Sequence, residues 1–180
     1  MGPDSQMILR FGNKGLKNAQ FSLLLVGSSN FCRLMYDTIT SLSLKYLRIP
    51  VNVSVTESIE NILTSSAPIH VDFIVFLMDT KERNSIEQVE RNLCLVEPIY
   101  LCDRIVLVNC CNHLGTGNLG LSVDELSTLC QKYRLQMIHG NIEEEESREN
   151  IAKRIVHFSS VICGVKTGMP MVFDFPNFLF

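Results

Sequence analysis

The residues best placed to do chemistry follow the first apolar run of the chain, where Gly27-Ser-Ser-Asn-Phe-Cys32-Arg33-Leu34 forms a predicted turn at 27–30 that leads into a helix. A phosphate-binding loop has the pattern Gly-x-x-x-x-Gly-Lys-Ser/Thr, which supplies backbone N–H groups, an ammonium and a magnesium-binding hydroxyl. Gly27 keeps the first position, whereas Cys32 replaces the second glycine and Leu34 replaces the hydroxyl residue. Arg33 keeps a positive charge, but its planar guanidinium does not replace the lysine. We therefore predict a degenerate phosphate loop that holds neither metal nor cofactor.

Two adjacent thiols, Cys110 and Cys111, stand at the carboxyl end of a predicted strand, and His113 follows two residues later. Thiols beside an imidazole can act as nucleophiles or as metal ligands. Neighbouring residues on a strand point to opposite faces, and the sequence offers no clear third or fourth ligand, so the pair is a poor metal site. We interpret both cysteines as structural. The alternative is a small α/β enzyme that uses Cys110 or Cys111 as its nucleophile.

Five apolar segments alternate with amphipathic ones, which is typical of β-α units. The segments with strand character are 21–26, 51–55, 71–78, 104–109 and 135–138. Residues 71–78 are almost continuously apolar, as a parallel strand covered on both faces is, so we place them in mid-sheet. Ser85 and Gln88 have the spacing of a capping box. The fold class predicted is an α/β three-layer sandwich, with helices on both faces of a mostly parallel sheet.

The 180 residues carry a formal net charge of −3 and are 46% hydrophobic and 19% charged, which excludes a disordered, coiled-coil or collagen-like chain. The mild charge provides no basic field for nucleic acid. No apolar run reaches the roughly 18–20 residues of a membrane helix. Several of the seven cysteines lie in apolar segments, as is typical of a reducing compartment, so we expect the cytosol or the nucleus.

We divide the chain into a polar leader (1–20), one α/β domain (21–164) and an apolar C-terminal tail (165–180). Four of the ten phenylalanines lie in the last eight residues. Because each buried phenylalanine contributes roughly 1.5–3 kcal/mol, the tail is expected to pack on its own domain or to insert into a partner. A second apolar stretch, 95–101, crosses a predicted loop. We predict a partner-binding surface of exposed side chains from both segments: Tyr100, Leu101, Met171, Phe173 and Phe175.

Residues 71–89 resemble the central strand and following helix of the Ras-like small GTPases, and residues 104–114 resemble their guanine-specificity strand. In that family the strand ends in Asn-Lys-x-Asp, whereas here the four residues are Asn109-Cys110-Cys111-Asn112. The stretch 28–71 is too short for both switch segments and the strand pair between them. The resemblance implies a small-GTPase-like fold without its switch region. It also implies that the base reader, the Asn-Lys-x-Asp motif that recognises guanine, is degenerate here at Asn109 and Asn112.

Four blocks, 21–27, 71–93, 104–108 and 162–164, are similar in order and spacing to the centromere protein M family, pseudo-GTPases of the inner kinetochore. This resemblance implies a non-enzymatic scaffold of the constitutive centromere-associated network, with no small-molecule substrate. The implied partner is centromere protein I, together with centromere proteins H and K. The resemblance further implies a monomer in the nucleus, located on the chromosome at the centromere and kinetochore. It implies no direct contact with nucleic acid or membrane. An atypical GTPase and the cysteine enzyme are the alternatives left open.

Overall fold

The computed structural model describes residue 9 and residues 21–46, 51–65, 70–82, 84–111 and 123–164. Within these ranges strands and α-helices alternate along the chain, and a short 3-10 helix, Pro98–Leu101, precedes the fourth strand. The elements are β1 (Phe21–Gly27), α1 (Ser29–Tyr46), β2 (Val51–Thr56), α2 (Ile59–Leu63), β3 (Phe73–Met78), α3 (Ser85–Leu93), β4 (Ile105–Asn109), α4 (Val123–Tyr133), β5 (Gln136–His139) and α5 (Glu145–Ile162). No helix in the described ranges is long and apolar enough to span a membrane.

The strands form one parallel sheet in the order β2-β1-β3-β4-β5. All six residues of β3 are buried and the strand lies in the middle, as its continuous apolar sequence predicts. The chain moves outward from β1 to β2 and then crosses back to β3. The switch point of this doubly wound order therefore lies between β1 and β3, and ligands of such sheets bind beside the carboxyl ends of the strands at that point.

Each face of the sheet carries its own apolar cluster, because successive strand residues point to opposite sides. Leu23, Leu25 and Val75 pack into the cluster formed with α1 and α5. Leu24, Ile74 and Phe76 pack into the second cluster, with α2, α3 and α4. The predicted α/β three-layer sandwich is confirmed. The second cluster also contains Leu9, so a residue of the predicted leader belongs to the core.

One predicted helix cap is wrong. Ser85 is the first residue of α3 rather than its N-cap, and its side chain is buried. Asn84 precedes the helix and makes no side-chain hydrogen bond to it. The capping-box spacing of Ser85 and Gln88 is therefore coincidental, because the serine faces the core instead of the open N–H groups of the first turn.

Candidate functional site

The loop between β1 and α1 consists of a single residue, Ser28. The predicted turn at 27–30 is wrong, since α1 begins at Ser29 and the N–H of Cys32 already donates a hydrogen bond to the Ser28 carbonyl at 3.0 Å. A phosphate-binding loop needs several residues here, so that successive N–H groups can surround the phosphate. The strand end therefore carries no such loop.

The thiol of Cys32 lies between the ends of β1 and β2. It is 2% exposed, and its sulfur lies 3.5 Å from the Gly27 carbonyl oxygen and 3.9 Å from the Thr56 carbonyl oxygen, both as acceptors. Burial, with a smaller contribution from the Glu57 charge, raises the pKa of the thiol to about 11. Arg33 is exposed on the next position of α1. The position of the second loop glycine is thus taken by a protonated side chain that satisfies the chain's own carbonyl groups.

Gly27 is held by the close approach of β1 to β3. A Cβ atom at this position would lie 2.5 Å from the Leu77 carbonyl oxygen and 2.9 Å from the Leu77 Cβ, closer than real Cβ atoms come. The residue also has a φ of 157°, which side chains disfavour. The glycine that matches the first position of a phosphate loop is therefore explained by strand packing.

A small, partly open cavity of about 40 Å³ lies at the switch point, between Gly27, Phe31 and Met78. Pockets for small-molecule ligands enclose roughly 300–1,000 Å³, whereas one water occupies about 30 Å³. A second, open depression of about 420 Å³ adjoins it between α2 and α3. Its charged lining residues are Glu57, Glu60, Glu82 and Arg91. Three carboxylates against one guanidinium make this depression repel the polyphosphate of a nucleotide.

Asn109, the first residue of the predicted base reader, is 1% exposed at the end of β4. Its Oδ1 accepts a hydrogen bond from the N–H of Cys111 at 3.2 Å and one from the Thr80 hydroxyl at 3.4 Å. The amide oxygen therefore joins the end of β4 to the loop after β3 through contacts within the chain. Asn112 lies outside the described residues.

Cys110 and Cys111 are both buried in the cluster between the sheet and α1 and α5. They share one cluster because β4 ends at Asn109, so the expectation that they point to opposite faces is wrong. Burial raises the pKa of Cys110 well above its usual range and raises the pKa of Cys111 to about 11. Thiols in this state carry almost no thiolate at neutral pH and lack the exposure of catalytic cysteines. Among the described residues, no group of three or more His, Cys, Asp or Glu is arranged to hold a metal ion.

Tyr100 is completely buried, so its predicted exposure at a partner surface is wrong. Its ring belongs to the second core cluster and its hydroxyl donates a hydrogen bond to the Val71 carbonyl at 2.8 Å. The 3-10 helix therefore places the aromatic ring in the core and its hydroxyl on a backbone carbonyl. Leu101, the next residue, is partly exposed and packs against the rim of the same cluster. Met171, Phe173 and Phe175 lie outside the described residues.

Arg104 and the end of α5 meet at the amino edge of the sheet. Arg104, which leads from the 3-10 helix into β4, is 5% exposed, and its Nη1 donates to the Asp72 carbonyl at 3.3 Å. The same nitrogen lies 4.0 Å from the sulfur of Cys163, the residue that follows α5. The end of α5 therefore lies near Arg104, opposite the carboxyl edge with Cys32 and Asn109.

The fold defines a doubly wound α/β domain, and in its described residues a single residue, Ser28, connects β1 to α1. A family model described as Centromere protein M (CENP-M) matches residues 16–174 of the chain. The chain belongs to this family. Its members are structural proteins of the kinetochore, which gives the chain a role and a location at the centromere and kinetochore and suggests that it is not an enzyme. No curated protein matches the chain.

Proposed function

We propose that this chain is a pseudo-GTPase scaffold of the inner kinetochore. In this role it binds centromere protein I and supports assembly with centromere proteins H and K in the constitutive centromere-associated network of the nucleus. The observation that carries the proposal is the single-residue connection at Ser28, with the Cys32 thiol bound to the strand-end carbonyls. A domain of this order without a phosphate loop has no means to hold and hydrolyse GTP.

The small-GTPase ancestry rests on the connection between β1 and β3. In the described part of the chain this connection contains α1, β2 and α2. The GTPases need a pair of strands and two switch segments in the same connection, whereas one strand is described here. The predicted base reader also has no lysine and no aspartate. Both losses fall on nucleotide functions and spare the sheet, as expected when the fold is kept and the chemistry is not.

The partner surface that we propose combines the partly exposed Leu101 with the tail residues Met171, Phe173 and Phe175, which lie outside the described residues. It is supported by Arg104, which follows Leu101 in the chain, because its Nη1 lies 4.0 Å from the sulfur of Cys163 at the end of α5. Apolar side chains of this kind suit a helical partner that buries them in a groove. The net charge of −3 favours protein rather than nucleic acid as the direct partner.

A thermal-shift experiment tests the loss of nucleotide binding. We expect the melting temperature to change by less than about 1 °C when magnesium-GTP, magnesium-ATP or magnesium-GDP is added in large excess. A ligand at one hundred times its Kd stabilises a protein by about 2.7 kcal/mol, which corresponds to about 5–10 °C for a domain of this size. An intact small GTPase in the same buffer is the positive control. A rise of several degrees that requires magnesium would contradict the proposal.

Co-elution with centromere protein I tests the partner surface. Leu101→Glu is expected to remove the complex from size-exclusion chromatography at micromolar concentration, because burial of an unpaired carboxylate at an interface costs several kcal/mol. Phe175→Glu is expected to act in the same way. Val123→Glu is the matched control, since Val123 is 57% exposed and begins α4 at the opposite edge of the sheet. Co-elution of both Leu101→Glu and Phe175→Glu at the wild-type level would refute this surface.

A further inference from the structure

Leu9 is bound to the rest of the domain as an added strand residue. Its N–H donates to the Leu95 carbonyl at 2.7 Å, and its own carbonyl accepts from the N–H of Glu97 at 3.2 Å. Together these two bonds form a parallel bridge between Leu9 and Val96. The Leu9 side chain is 4% exposed and belongs to the core cluster that also contains Val96 and Tyr100. Leu9 is distant from Val96 in sequence, and both its backbone and its side chain bind it to this segment.

The receiving segment, Leu95–Glu97, has the properties of a peptide-binding edge. It offers one carbonyl and one N–H to an incoming backbone, and it places an apolar recess beside them for the side chain of the bound residue. Strand addition works in this way, with main-chain bonds that give affinity and a pocket that selects the side chain. The segment is not part of the five-stranded sheet, so its edge is paired by the bridge to Leu9 and by no strand of that sheet.

We propose that Leu95–Glu97 is a binding site for an extended apolar peptide, and that its occupant in the free protein is the chain's own leader, bound through Leu9. The site holds a leucine side chain and bonds to the N–H and the carbonyl of the same residue. Because the leader is tethered, it fills the site at a high effective concentration and excludes a peptide of the same chemistry in trans. This site is independent of the scaffold role proposed above, and its test uses no kinetochore partner.

The experiment is an NMR titration of the full-length chain with a synthetic peptide of residues 5–13. The receptor is the ¹⁵N-labelled Leu9→Asp variant, in which the tethered ligand is disabled. We expect the peptide to shift the amide signals of Val96 and Glu97 in a saturable way, and to bind the wild-type chain at least tenfold more weakly, because the tethered leader competes for the site. The same peptide with Asp in place of Leu9 is expected not to bind.

A second pair of variants tests the backbone hydrogen bond itself. Glu97 has φ −63° and ψ 145°, a conformation that proline adopts, so Glu97→Pro removes the N–H without strain. Glu97→Ala keeps the N–H and removes only the carboxylate. In the Leu9→Asp background we expect Glu97→Pro to bind the peptide about threefold to tenfold more weakly than Glu97→Ala, as the loss of one net hydrogen bond predicts.

Hydrogen exchange in the wild-type chain provides a measurement that does not need the Leu9→Asp variant to fold. The Glu97 amide is expected to be protected, and Leu9→Ala is expected to reduce this protection at least tenfold while the amides of β3 keep theirs. Equal peptide binding to the wild-type and Leu9→Asp chains would overturn the proposal. So would a folded Leu9→Asp chain that binds no peptide, or a Glu97 amide that exchanges at the same rate in the wild-type and Leu9→Ala chains.

Discussion

Replacing Gly27 with alanine is expected to destabilise the domain by about 2–6 kcal/mol, as measured by urea unfolding. The new Cβ would lie 2.5 Å from the Leu77 carbonyl oxygen, and backbone atoms of two central strands cannot move apart without breaking their ladder. Overpacking of this kind costs about 1–3 kcal/mol, and a side chain at the φ of 157° adds about 1–3 kcal/mol.

Ser28→Ala is the control for this substitution, because Ser28 is exposed one residue later and its described contact is made by its backbone carbonyl. We expect it to change the free energy of unfolding by less than about 0.5 kcal/mol. A Gly27→Ala protein as stable as wild type would mean that the strands are farther apart than described. In that case the glycine would need a functional explanation, such as a bound anion.

The fold could be predicted in most of its parts because hydrophobic patterning is a local signal. The unbroken apolar run at 73–78 has no polar face to turn to water, so it must lie in mid-sheet, and β3 does. The spacing of Met35, Ile39 and Leu42 likewise selects one face of α1, and all three are buried. Apolar residues that repeat every two positions indicate a strand, and those that repeat every 3.6 positions indicate a helix. Both patterns can be found without knowing which element packs against the segment.

The errors concern side chains whose environment is set by distant segments. Ser85 fits a helix cap by its type and spacing, yet the packing of α3 on the sheet turns it inward. Tyr100 suits an interface because it joins an apolar ring to a polar tip, and the same combination suits a core that offers one carbonyl. That carbonyl belongs to Val71, 29 residues earlier. No local pattern reports such a pairing.

The candidate site divides in the same way. The sequence identifies the groups that a phosphate loop would need and that Cys32 and Leu34 do not supply. It does not indicate that α1 starts as early as Ser29, or that the Cys32 thiol meets the carbonyls of Gly27 and Thr56. The residue type at one position shows that a group required for phosphate binding is missing. The contacts that the replacing side chain makes depend on the tertiary arrangement of several elements.

Substitutions at Tyr100 are expected to destabilise the domain, and the largest loss is expected when the whole ring is removed. Tyr100→Phe removes the donor to the buried Val71 carbonyl and should cost about 1–3 kcal/mol. Tyr100→Ala also leaves a cavity the size of the ring and should cost about 4–6 kcal/mol in total. Urea unfolding followed by far-UV circular dichroism measures both. The control is Tyr36→Ala, because Tyr36 is 40% exposed on α1 and its truncation should cost less than about 1 kcal/mol.

The pH dependence separates the hydroxyl from the ring. Burial, with smaller contributions from the charges of Asp72 and Glu97, raises the pKa of the Tyr100 phenol in the folded state. In the unfolded chain the phenol has its ordinary pKa of about 10, so above this pH the unfolded state loses the proton that the folded state keeps. The contribution of the phenol to the free energy of unfolding is therefore complete below pH 10 and decreases above it.

Because phenylalanine cannot ionise, the difference in free energy of unfolding between the wild-type chain and Tyr100→Phe should shrink by about 1.4 kcal/mol between pH 9 and pH 11. An advantage that stays constant over this range would mean that the Tyr100 hydroxyl is open to water, and that the residue is available to a partner after all.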